Sequence, residues 1–174
     1  MLDLEPLFAS IDAYAPLIDR QVAALLTQTG ADKVVLVGHS MGGLAIRAWL
    51  RRYTSSRMAQ IAAIITLGTP HQGTRIASSS MTANGAQMIW QSDWLQALQD
   101  SETPAQRALM HIAITAHDNI VYPQRQQVLD GAQVTEFAGL GHLELCLDAG
   151  VIDWVRHKLA ALSASPLFQK TDLD

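Results

Sequence analysis

A mostly parallel α/β sheet flanked by helices is the fold class this 174-residue sequence predicts, as a single domain over residues 1–174. Three observations carry it. Apolar runs such as Val34-Val35-Leu36-Val37 and Ile61–Leu67 are unbroken rather than alternating, as in parallel strands covered on both faces. They alternate with segments of helical periodicity, which implies right-handed crossovers. Apolar residues make up 49% and charged residues 16%, which excludes disorder and suits a largely buried sheet.

The elements follow in order. Asp12 is placed to cap a helix whose stripe is Tyr14, Leu17, Ile18, Val22, Leu25 and Leu26, with Pro16 in its first turn and Gly30 as its stop. The strand at Val34–Val37 comes next, then a helix from Met41 to about Tyr53 that buries Leu44, Ile46, Ala48 and Trp49. Its Arg47, Arg51 and Arg52 are expected in water. A second strand, Ile61–Leu67, ends at Gly68-Thr69-Pro70. A third, about Ala108 to Thr115, ends in His117-Asp118-Asn119. A short fourth, Gln133–Phe137, leads into Gly139-Leu140-Gly141-His142, and Leu143 to Leu162 reads as a helix interrupted near Gly150.

Residues 71–105 break this rhythm. Turn-forming Ser78-Ser79-Ser80, Asn84-Gly85 and Ser101-Glu102-Thr103-Pro104 surround Met81, Met88, Ile89, Trp90, Trp94, Leu95 and Leu98. Such an excursion is either a helical cap over a site or apolar packing on the sheet edge, and periodicity does not separate the two.

Composition removes several functions. A net charge of −4 without a basic cluster argues against nucleic acid. Cys146 is alone, which rules out an intrachain disulfide and a four-cysteine zinc site. Apolar stretches of about five residues fall far short of a membrane span. The first ten residues hold two acids and no base, unlike a signal peptide, so a cytoplasmic location is expected.

The chemistry concentrates at Gly38-His39-Ser40-Met41-Gly42, which closes a strand and opens a helix. A serine hydroxyl is a weak nucleophile unless exposed beside a base. A tight strand-to-helix turn exposes Ser40 at the C-terminal edge of the sheet, and Gly38 and Gly42 are expected to leave room for the close approach. The Met41 N–H then faces an oxyanion with the helix dipole behind it.

A base and its orienting acid should follow in the order Ser, acid, His. His142 sits in a glycine-flanked loop at the same sheet edge as Ser40 and is the expected base. Among the other histidines, His39 lies inside the turn and is expected to point beneath it. His71 precedes the acid, as does His111, for which packing is expected. His117 adjoins the acid, and His157 lies on the last helix. Asp118 ends the third strand at the same edge and is the expected acid, ahead of Asp93 and Asp100 in the excursion.

The stretch Val34 to Leu44 resembles the nucleophile turn of α/β-hydrolase-fold lipases and esterases, especially bacterial ones. Thr66-Leu67-Gly68-Thr69-Pro70-His71-Gln72-Gly73 is similar to the segment those lipases carry after the next strand. His117-Asp118-Asn119-Ile120-Val121 and Gly139-Leu140-Gly141-His142 are similar to their acid and histidine loops. The four segments come in the family's order. The resemblance implies Ser40 as nucleophile, Asp118 as acid, His142 as base and the Met41 N–H as one oxyanion donor. The family usually has further N-terminal strands and a His-Gly loop that gives the second oxyanion N–H. Only 39 residues precede Ser40, so those strands are expected to be missing. Gly68-Thr69 or the Gly139 loop would have to supply the N–H, and an exposed sheet edge would favour a homo-oligomer.

The expected activity is hydrolysis of a small-molecule ester or lipid by a serine esterase or lipase through an acyl-enzyme, with Met81, Met88, Trp90 and Trp94 binding the acyl chain. No metal, organic cofactor or stable membrane insertion is expected. A thioesterase, amidase or acyltransferase with the same residues stays open, as does a non-catalytic binding module.

Overall fold

In the computed structural model, which describes residues 2–164, the two unbroken apolar runs lie side by side as β1 (Val34–His39) and β2 (Ile61–Leu67). Beyond them come β3 (Met110–Thr115) and β4 (Gln133–Phe137), in the order β1-β2-β3-β4 with every pairing parallel. The expected domain thus extends past the described residues at both ends.

Alternation along β2 divides the core into two layers. Ile64 joins one layer, with helices α1 (Ala15–Thr29) and α2 (Met41–Arg57) supplying Ile18, Val22, Leu44 and Trp49. Ile65 and Leu67 face the other, closed by Leu145 and by Val151 of α6 (Ala149–Ser163). Pro16 does stand in the first turn of α1, and Gly30 ends it at φ 64.

Residues 71–105 fold into α3 (Ala83–Gln87), α4 (Asp93–Asp100) and α5 (Pro104–Ala108). Leu95 and Leu98 of α4 belong to the α1–α2 core layer, and Trp94 Nε1 donates to Asp12 Oδ2 at 2.7 Å. Among the described residues no helix is long and apolar enough to cross a membrane.

Three expectations need correction, and the interruption expected near Gly150 is present at Asp148. Asp12 lies inside a 3-10 turn, Ile11–Tyr14, and makes no cap for α1; its carboxylate instead accepts from Arg51, Gln87 and Trp94. The last helix breaks before Gly150, because Asp148 Oδ1 accepts the Val151 N–H at 3.0 Å and starts α6 afresh. Val37 is half exposed, since β1 is an edge strand among the described residues. Arg47, expected in water, is fully buried: Glu102 takes its guanidinium at 2.5 and 3.0 Å, and the His71 carbonyl accepts a third bond at 2.9 Å.

Candidate active site

Ser40 stands between the end of β1 and the start of α2 at φ 51, ψ −126, a region a non-glycine residue occupies at a cost of about 1–3 kcal/mol. Two backbone bonds fix it there. Its N–H donates to the Leu67 carbonyl at 2.9 Å, and its own carbonyl accepts the Gly43 N–H at 3.1 Å. Met41 opens α2, so its N–H has no intrahelical acceptor and carries the positive end of the helix dipole.

The close approach of strand and helix depends on Gly38 and Gly43, not on Gly42. A Cβ on Gly38 would lie 2.7 Å from the Gly43 N, and one on Gly43 would overlap the Thr69 side chain, whereas one on Gly42 meets nothing within 4 Å. Gly43→Ala is therefore expected to cost about 1–3 kcal/mol, as overpacking does, and Gly42→Ala to stay within about 1 kcal/mol. Urea denaturation of both variants checks this; equal midpoints would contradict it.

His142 and Asp118 meet at the neighbouring strand ends. His142 Nδ1 lies 2.8 Å from Asp118 Oδ2, with both side chains at most 4% exposed. An ionised carboxylate only accepts, so Nδ1 carries the proton and the Nε2 lone pair of a neutral His142 is left free. Asp118 Oδ1 accepts from the N–H groups of Ile120 and Val121 at 2.8 and 2.7 Å. Burial alone would raise the Asp118 pKa, but the His142 bond and these two N–H groups outweigh it and hold the carboxyl below its ordinary value.

A depressed folded pKa contributes stability above the unfolded value of about 3.9, lost as pH falls through the folded value. Stability of the wild type is accordingly expected to fall more steeply below about pH 4 than that of Asp118→Asn. Parallel curves of urea midpoint against pH would contradict it.

Gly68, at φ 57, brings the end of β2 against the histidine: a Cβ there would sit 3.2 Å from His142 Nδ1. The end of β2 thus touches both sides: the Leu67 carbonyl accepts the Ser40 N–H, and Gly68 lies against the His142 ring. Ser40 Oγ makes no hydrogen bond to that ring within 3.5 Å, a contact that often tightens only when substrate binds. Of the donors expected for a second oxyanion N–H, Gly68 and Gly139 are already engaged, whereas the Thr69 N–H makes no hydrogen bond among the described residues. Gly68 N–H donates to the Ala113 carbonyl at 3.0 Å, and Gly139 N–H to His117 Nδ1 at 3.1 Å.

Ser40 and Met41 line two cavities. A groove of about 600 Å³ runs along β1 past Ile18, Val22 and Val37; a pocket of about 310 Å³ lies under the excursion, walled by Phe8, Ile76, Met88, Ile120 and Val121. Asn84 Nδ2 joins this wall to the turn by donating to Met41 Sδ at 3.3 Å. Of the four expected acyl-binding residues only Met88 lines the pocket. Met81 is fully exposed, Trp90 stacks under the Arg75 guanidinium at 4.0 Å, and Trp94 is turned towards Asp12. The indole N–H and the faces of the two tryptophans are drawn to charged partners, which explains their placement.

Two features went unread in the sequence. One is the buried Arg47–Glu102 pair beneath the turn. His71 joins it through its carbonyl, which accepts from Arg47, while its Nε2 lies 2.9 Å from Thr66 Oγ1; burial, then the Arg47 charge, keeps its imidazole well below its ordinary pKa. The other is His39, whose Nε2 reaches the His142 carbonyl at 3.1 Å instead of pointing beneath the turn. A strand residue beside the nucleophile is the one signal the sequence offered. His157 is exposed, as are Asp93 and Asp100. Among the described residues no three His, Cys, Asp or Glu side chains gather as metal ligands.

A strained serine at a strand-to-helix turn, beside a buried Asp–His pair at parallel strand ends, is the arrangement of an α/β-hydrolase fold. The chain belongs to the PGAP1-like alpha/beta domain family, whose model matches residues 14–142. It is 44% identical over 57 residues to triacylglycerol lipases of Pseudarthrobacter phenanthrenivorans and Burkholderia plantarii, covering 32% of this chain but only 16% and 14% of theirs. The match therefore spans only about one-seventh to one-sixth of the length of these relatives. The fold matches the mature Bacillus licheniformis lipase BlEst2 with a TM-score of 0.73 at 14% identity, over 90% of this chain and 76% of that one. A Paleococcus ferrophilus monoacylglycerol lipase matches with a TM-score of 0.59 at 14% identity, over 89% and 76%.

Proposed function

We propose that this chain is a serine carboxylic-ester hydrolase of esterase or lipase type. The observation that carries the reading is the buried Asp118–His142 bond of 2.8 Å next to the strained Ser40. Ser40 Oγ attacks the ester carbonyl while His142 Nε2 takes its proton, and the tetrahedral oxyanion forms against the Met41 N–H. His142 returns the proton to the departing alcohol. Water then attacks the acyl-enzyme with the same histidine as base, releasing the acid and Ser40. Asp118 fixes the ring with Nε2 toward Ser40 and stabilises the imidazolium.

An apolar ester fits the surroundings. Phe8, Ile76 and Ile120 wall the smaller pocket yet stay 68%, 52% and 44% exposed, so its mouth is open and greasy. Met88 is the acyl-chain contact retained from the sequence, and the names of the lipase relatives point the same way. Hydrolysis of p-nitrophenyl esters from C2 to C16, with stoichiometric fluorophosphonate labelling of Ser40, tests the reading. A folded protein that neither turns over nor labels would overturn it. Turnover of thioesters or amides in preference to esters would move it to the thioesterase or amidase class.

The proposal extends to self-association. The Ser40 N–H points at β2, so by alternation the N–H groups of Val35, Val37 and His39 face the open side of β1. Two copies pairing there would give a mass that rises with concentration in light scattering, and a constant monomer mass would refute it.

A further inference from the structure

His39 precedes the proposed nucleophile and touches the proposed base. Its Nε2 lies 3.1 Å from the His142 main-chain oxygen. A carbonyl only accepts, so a neutral His39 carries its proton on Nε2. The two rings lie side by side, with centroids 4.7 Å apart and planes tilted by 49°. His142 is thus held at two ends: Asp118 takes its ring, and His39 takes its peptide.

The loop that carries His142 needs such an anchor. It contains Gly139, at φ 77, and Gly141. Its other ties to β3 and the loop after it act before the histidine, through Thr115 Oγ1 to the Leu140 carbonyl at 2.7 Å and Gly139 N–H to His117 Nδ1 at 3.1 Å. His39 bonds the peptide of His142 itself. Because Ser40 is the next residue along the chain, this bond ties base to nucleophile across one peptide unit, where the sequence separates them by about a hundred residues.

Resting on the hydrolase reading above, we propose that His39 is a positioning residue whose Nε2–H···O bond to His142 sets the reach of His142 Nε2 to Ser40 Oγ. The groups that face it are His142 and Asp118. Burial first, and then the neighbouring His142, lower the His39 pKa, against the His142 carbonyl and the Asp118 carboxylate, which raise it. The net lowering favours the neutral form of His39, which donates its Nε2–H to the His142 carbonyl.

Three variants of the full chain test the inference. His39→Gln keeps an N–H near the Nε2 position, His39→Asn carries its amide too short, and His39→Leu removes the donor while keeping bulk. A misplacement of about 1 Å costs on the order of 100-fold in rate, so His39→Leu and His39→Asn are expected to lose about 10- to 100-fold in kcat. KM should change less than about twofold, and His39→Gln should recover most of the loss. A second readout does not need turnover. The downfield proton resonance of His142 Nδ1–H is expected to be sharp in wild type and His39→Gln and broadened in the other two. If the wild type hydrolyses no ester, the hydrolase reading fails and the resonance alone decides whether His39 anchors the base. His39→Leu or His39→Asn with unchanged kcat and an unchanged resonance overturns the proposal, as does His39→Gln behaving no better than His39→Asn.

Discussion

Ser40→Ala is expected to lower ester turnover by about 10⁴- to 10⁶-fold while the chain stays folded, the loss that follows removal of a nucleophile acting as one unit with its base. Ser40→Gly should be equally inactive but more stable than Ser40→Ala. At φ 51 and ψ −126 a side chain costs about 1–3 kcal/mol, and glycine escapes that cost at an entropic penalty of about 0.5–1 kcal/mol. A net gain of roughly 1 kcal/mol should appear as a higher urea midpoint. Retained turnover in either variant would remove Ser40 from the chemistry, and equal midpoints would remove the strain.

The second large effect concerns stability. Glu102 is 3% exposed at its side chain and bonds both Arg47, which is 0% exposed, and Arg107. Glu102→Gln leaves the Arg47 charge buried without its counterion and is expected to cost about 3–5 kcal/mol. Replacing the pair together, Arg47→Met with Glu102→Leu, should recover most of that, because two apolar side chains carry no desolvation penalty. Asp153→Ala provides the contrast: its pair with Arg156 is 64–76% exposed, so the change should stay within about 0.5 kcal/mol. A Glu102→Gln loss below 1 kcal/mol would mean that the cluster is solvated in solution.

The sheet was legible because its signal is local. Ile61–Leu67 and Gln133–Phe137 begin and end where the sequence puts them, bounded by turn residues. The gathering of Ser40, Asp118 and His142 at neighbouring strand ends was legible for a related reason: each follows a strand, and parallel strands bring those ends to one edge. The Asp118–His142 bond is then a product of register, with Thr115 opposite Phe137 in the β3–β4 ladder.

What escaped the sequence depends on partners far along the chain. Helical phase marks Arg47 as one of four arginines on α2, but its charge is matched by Glu102, 55 residues away, which makes its burial tolerable. Asp12 looks like a cap until Trp94 and Gln87 are brought to it from the excursion. The roles of Gly42 and Gly43 are exchanged because spacing does not reveal where Thr69 lies. Met88 separates from Met81, Trp90 and Trp94 only once α3 and α4 are packed.

The two oxygens of Asp118 divide their work between near and far. Oδ1 is bonded to amides two and three residues along its own loop, and Oδ2 reaches a histidine 24 residues away. The aim of the carboxylate is therefore set by its own loop and does not depend on the histidine being in place. In hydrogen exchange, the Ile120 and Val121 amides are expected to be better protected than the Gly139 and Gly141 amides, and equal protection would contradict this division. On that expectation, remaking the pair requires only the histidine side to return, because the acid stays aimed by its own loop.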